Sequence, residues 1–124
     1  MITHYFRTVK DSELKVLDST RTGVWTHAEA PTGEELRELI KLYGLDEAIL
    51  ADVNDFFEVP RVEKSGGAAY FFTRYPYDKT EEDVETAPLL LVVGEAFVLT
   101  VAQCEVPPLK PLFGGQEEVN TTQK

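Results

Sequence analysis

Carboxylates apart, this chain has few side chains that could do chemistry. Its 124 residues include two histidines, His4 and His27, one cysteine, Cys104, and 22 aspartates and glutamates. A zinc site needs His, Cys or carboxylate ligands at short, fixed spacings, and a nucleophile needs a base to activate it. Neither histidine has a partner at metal-site spacing, and Cys104 lacks a Cys-x-x-Cys mate. Ser65-Gly66-Gly67 precedes an expected strand instead of opening a helix, so it is no phosphate cradle. The acid-rich stretch 77–87 lacks the Asp-x-Asp-x-Asp-Gly pattern of a calcium loop. Carboxylate pairs are too plentiful here to mark an acid–base site. The residues themselves indicate no active site and no enzyme. Both histidines read as partly buried structural residues, with zinc ligation through the fold as the alternative.

Charge narrows the partners. Twelve Lys and Arg against 22 Asp and Glu give a net charge of −10. A nucleic acid backbone or an anionic lipid surface calls for a basic face, so both are disfavoured. Cations, basic partners or plain solubility remain. The single cysteine permits no disulfide within the chain, which fits a reducing, cytosolic setting. The first residues show neither a basic start nor an apolar run fit for a signal peptide.

The elements that would position these residues are organised around 88–102. Residues 89–93 and 96–102 read as two apolar strands, and Gly94-Glu95 is a Gly-X pair suited to a type II′ hairpin turn. Residues 89–93 are apolar without alternation, which predicts burial on both faces in mid-sheet, under helices. Upstream, Ile2, His4 and Phe6 alternate with Thr3, Tyr5 and Arg7 in a strand expected over 2–9. Residues 14–17 should pair antiparallel with it, and 22–27 form a third strand in which Trp25 reads as a core or sheet-edge anchor, with a ligand platform as the alternative.

Two helices follow. Thr32 and Glu35 form a Thr-x-x-Glu capping box, Leu36, Leu39, Ile40 and Tyr43 make an apolar stripe, and Gly44 supplies the stop. Asp46 caps a second helix with Ile49, Leu50 and Val53 inward and Asp52 and Asp55 on or near the outer side. It ends by Val59, ahead of Pro60. Phe56 and Phe57 are expected to lock it onto the sheet; an interface anchor is the other reading. Residues 61–64 and 68–75 read as a hairpin about a flexible glycine turn, 77–87 as an acidic loop, and 106–111 as stiff and non-helical at its start. Residues 114–124 are polar and aperiodic, a linker or unfinished tail after a single domain over 1–113.

Several stretches, in order, resemble the amino-terminal cytosolic domain of the CorA family of magnesium and divalent-cation transporters. They are Val24-Trp25, Pro31-Thr32-Gly33-Glu34-Glu35-Leu36, Tyr43-Gly44-Leu45, Ile49-Leu50-Ala51-Asp52-Val53, Val59-Pro60-Arg61-Val62-Glu63 and the 89–101 hairpin. The resemblance spans about the first hundred residues and rests on the series rather than on any one piece. It implies an α/β domain of the α+β type, a mixed sheet with helices on both faces. It further implies a place at the cytoplasmic end of a homopentamer, ahead of stalk helices and membrane spans absent from this chain. The chain would then be a soluble piece of a longer transporter, and monomeric or weakly associated by itself.

In that family, acidic residues between subunits hold divalent cations and restrain opening. The matching acid is Asp52; where the family often has a second acid, this chain has Ala51. The resemblance places the partner of Asp52 on the missing stalk. The ion implied is Mg2+, held weakly, with Co2+, Ni2+ and Zn2+ as alternatives. Two other classes compete: a stand-alone acidic binding or scaffold domain using Phe56, Phe57 and the hairpins, and a small cytosolic enzyme, which no residue pattern favours.

Overall fold

The computed structural model describes residues 1–7, 14–55, 59–79, 84–104 and 106. Among the described residues seven strands form one sheet: β1 Ile2–Phe6, β2 Lys15–Leu17, β3 Val24–Glu29, β4 Arg61–Ser65, β5 Ala68–Lys79, β6 Val84–Val93 and β7 Phe97–Ala102. Two helices, α1 Gly33–Tyr43 and α2 Glu47–Ala51, follow β3, and α2 runs into a 3-10 turn at Asp52–Asn54. The strand order is β2-β1-β3-β7-β6-β5-β4. Strands β3 and β7 are parallel, and the other neighbours antiparallel, so the sheet is mixed. After β3 the chain crosses through α1 and α2 to the far edge, then returns inward by the meander β4 to β7.

Local signals set the helices. Thr32 Oγ1 accepts from the Glu35 amide at 3.1 Å, and Glu35 Oε1 accepts from the Thr32 amide at 2.9 Å, closing the capping box. Gly44 ends α1 in the left-handed conformation at φ 65°, as its sequence position predicts. Leu36 and Leu39 of α1 and Ile49, Leu50 and Val53 beyond it are buried against Ala28, Tyr70, Phe72, Leu90, Val92, Leu99 and Val101. These sheet residues share one face by register. Among the described residues both helices lie on that face, where the resemblance implied cover on both.

Strand β6 differs from its sequence reading for the same reason. Leu90 and Val92 are fully buried under the helices, but Leu89 and Leu91 are only half-buried and Val93 is 37% exposed. An unbroken apolar run marks two faces to be covered, and the described elements cover one.

The hairpins also differ in detail. Gly94 has no positive φ, so the β6–β7 connection is not a type II′ turn. The last register pair is Val93 with Val98, and the Gly94 amide donates to the Phe97 carbonyl at 3.0 Å. Glycine is needed for space: a Cβ at position 94 would run into the Phe97 ring. At the β4–β5 turn, Gly66 and Gly67 have φ 57° and 83°, a two-residue turn fitted to the strand twist instead of a flexible one.

The expected acidic loop at 77–87 is largely strand. Strands β5 and β6 stay paired from Ala69–Val93 out to Lys79–Val84, with a bulge between Pro76 and Asp78. Pro76 lies past Phe72, where β4 stops, and Pro88 one step past Leu89, where β7 pairing begins. Both prolines thus sit where β5 or β6 has lost its other neighbour and the missing N–H leaves no gap in a ladder. The expectations for Phe56, Phe57 and the 114–124 tail fall outside the described residues.

Candidate functional site

Asp52, the acid singled out by sequence, stands where α2 tightens into its 3-10 turn. Asp46 fixes that helix at its start. One oxygen of its carboxylate accepts from the amides of Ala48 and Ile49 at 3.0 and 3.2 Å, and the other from Ser65 Oγ at 3.0 Å. The Asp46 amide donates to Tyr70 Oη at 2.9 Å. The helix is thereby tied to the β4–β5 hairpin at one end, and its other end faces the opposite end of β4.

There Arg61 reaches across. Its Nη2 donates to Asp52 Oδ2 at 2.6 Å and its Nε to Glu63 Oε2 at 3.3 Å, while the guanidinium lies 4.2 Å over the Phe72 ring. Arg61 and Glu63 are two apart on β4 and so share the helix face. Two carboxylates about one cation leave a formal surplus of one negative charge. The Asp52 side chain is 47% exposed, so water screens the pair and its net worth is about 0–1 kcal/mol.

Chemically, this cluster can attract a cation but cannot enclose one. Among the described residues no group of three or more His, Cys, Asp or Glu is arranged to hold a metal ion. Mg2+ retains several waters and takes one or two carboxylates, so Asp52 fits it only as one ligand among others. The guanidinium of Arg61 already occupies the space between Asp52 and Glu63. Sequence reading identified Asp52 but missed Arg61 and Glu63. Their i, i+2 spacing on an edge strand was the available signal; that this strand passes beneath Asp52 is a tertiary fact.

The histidines lie elsewhere, each in a structural network. Thr26 Oγ1 is 2.7 Å from His4 Nδ1 and 2.5 Å from Tyr43 Oη, linking β1, β3 and α1. On the other face, Thr100 Oγ1 accepts from Trp25 Nε1 at 2.9 Å and lies 2.7 Å from His27 Nδ1. Indole nitrogen can only donate, so the threonine hydroxyl accepts from it and keeps its own proton and a second lone pair for His27 Nδ1. His27 Nε2 lies 3.9 Å from Glu29 Oε1. Burial first, and then the positive amino terminus, lower the His27 pKa to about 4. Trp25 is a buried sheet anchor, as expected. Cys104 is a free thiol whose carbonyl accepts from Tyr75 Oη at 3.1 Å.

Fold and site together define an acidic α+β domain with a guanidinium-bridged carboxylate pair beside an edge strand. A sequence model of the family described as CorA-like Mg2+ transporter protein matches residues 21–118. The chain belongs to that family. Solved structures share its fold. The complete CorA magnesium transporter from Methanocaldococcus jannaschii aligns at TM-score 0.75 and 20% identity, over 92% of this chain and 36% of that one. The soluble domain of CorA from the same organism aligns at TM-score 0.73 and 22% identity, over 95% and 47%. Full-length CmaX aligns at TM-score 0.70 and 16% identity, over 97% and 41%. This chain thus spans less than half the length of each. No curated protein sequence matches it. No helix among the described residues is long and apolar enough to cross a membrane.

Proposed function

We propose that this chain is the regulatory, cation-sensing domain of a CorA-like divalent-cation transporter, lying at the cytoplasmic face of the membrane in a homopentamer. The observation that carries the reading is the half-exposed Asp52, held at the sheet edge in a chain of the CorA-like family. Copies of a domain with net charge −10 repel one another when assembled about an axis. Cations between the copies offset that repulsion and favour the closed assembly; their loss favours the splayed one. Asp52 contributes one carboxylate, and a neighbouring subunit supplies the rest of the coordination. Magnesium is the ion proposed, with Co2+, Ni2+ and Zn2+ the alternatives.

The test is Asp52→Ala in a full-length transporter carrying this domain, read as inhibition of transport current by intracellular magnesium. The reading expects weaker inhibition in the variant. Inhibition equal to that of the parent overturns it.

A further inference from the structure

Arg61 holds the carboxylate that the cation reading needs. Its Nη2 lies 2.6 Å from Asp52 Oδ2, on an aspartate side chain that is 47% exposed. A cation arriving from solvent therefore meets a carboxylate already matched to a fixed positive charge. It must displace the guanidinium or sit beside a like charge, and either raises the concentration it needs.

Arg61 also has a place to stay once Asp52 is taken. Arg61 and Phe72 are register partners across β4 and β5, so the stack of guanidinium on ring is built into the strand pairing. Phe72 itself is buried in the core. Glu63 accepts from Nε at 3.3 Å, a different nitrogen from the one on Asp52. Releasing Asp52 thus leaves the guanidinium stacked on Phe72 and paired with Glu63. The helix has its own anchors as well. Asp46 ties its start to Ser65 and Tyr70, and Gln103 Nε2 donates to the Val53 carbonyl and Asn54 Oδ1 at 3.1 and 3.0 Å beyond its end. The Asp52–Arg61 pair can therefore break while both of its elements keep their places.

We propose that Arg61 is a tethered competitor for Asp52, a guanidinium that a divalent cation must displace and that sets the concentration at which Asp52 responds. The inference rests on the cation reading of Asp52 and adds the residue that opposes it. Charge decides what can displace Arg61. A singly charged ion brings no more charge than the guanidinium and lacks its tether, whereas a divalent ion brings twice as much. Arg61 thereby sets a threshold against monovalent ions.

The test is the magnesium midpoint of a full-length transporter carrying this domain, read in two ways at constant ionic strength. One is half-inhibition of transport current; the other is half the magnesium-induced rise in melting temperature of the purified protein. Arg61→Met removes the charge and keeps an unbranched stem on Phe72. It should lower both midpoints by about threefold or more, the scale of losing one exposed ion pair. Arg61→Lys, which keeps the charge, should leave them closer to the parent's, and midpoints as low as those of Arg61→Met would count against the proposal. On top of Asp52→Ala, Arg61→Met should change neither midpoint; a further fall assigns the effect to bulk charge and overturns the proposal. Unchanged or raised midpoints in Arg61→Met, where Asp52→Ala raises them, overturn the competitor and leave the cation reading standing. Midpoints that Asp52→Ala leaves untouched overturn the cation reading itself, and this inference with it. Should Arg61→Met fail to fold, Arg61→Gln decides by the same criteria.

Discussion

The indole Nε1 of Trp25 donates to Thr100 Oγ1 at 2.9 Å, across the parallel pair of β3 and β7. The contact joins residues far apart in the chain at the centre of the sheet. Both side chains are buried, and the same hydroxyl serves His27. Thr100→Val keeps the shape and removes the hydroxyl, leaving two buried polar groups without it. The expected loss is about 1–3 kcal/mol of unfolding free energy, measured by urea denaturation. In the parent chain, long-range proton–nitrogen NMR reads the direction of the Thr100–His27 bond: a proton on Nε2 means that the hydroxyl donates, and a proton on Nδ1 that it accepts.

His27 also makes stability depend on pH. Its folded pKa of about 4 lies below the ordinary 6.5, so the unfolded chain binds more protons between those values. Stability should therefore fall as pH drops through 6.5 to 4 and level off, for this group, below that. The His27 share is roughly 3 kcal/mol at most, from 1.36 kcal/mol per unit. Burial lowers His4 as well, with the same sign. The check is the difference between urea-unfolding profiles of the parent and His27→Leu across this window. Parallel profiles would remove His27 as the source.

Arg61 should matter more to stability than the acid it holds. Asp52→Ala removes one screened ion-pair partner, an expected cost of about 0–1 kcal/mol. Arg61→Ala removes contacts to Asp52 and Glu63 together with the stack on Phe72, an expected cost of about 1–2 kcal/mol. Thermal melts of the two variants give the order. A large loss in Asp52→Ala would mean that its effect on transport reports misfolding.

Gly94→Ala tests the reason for glycine at that turn. The added methyl meets the Phe97 ring, which stacks on Tyr43 at 4.2 Å between centroids. Overpacking of this kind costs about 1–3 kcal/mol, and displacing the ring should weaken the near-ultraviolet dichroism of Tyr43. A backbone-only requirement for glycine would leave that signal intact in whatever protein remains folded.

Local chemistry was legible in the sequence wherever a few neighbouring residues decide the outcome. The Thr32–Glu35 capping box, the Gly44 stop, the Asp46 cap and the Gly66-Gly67 turn all occur at their predicted places, because each is settled within a few residues of chain. The antiparallel pairing of β1 with β2 and of β4 with β5 was legible too, being carried by short connections. Three features lay beyond it. Leu89 to Val93 look alike in sequence, yet which of them is covered depends on where the chain carries its helices after β3. The β5–β6 pairing continues through acids that suggest a loop, since cross-strand hydrogen bonds outweigh weak local preference. Arg61 meets Asp52 because the crossover through α2 sets the end of that helix beside edge strand β4. Residue type alone decided which groups could carry charge, cap a helix or fill a core. Tertiary structure decided which of them meet, because strand order brings together residues that no local spacing relates.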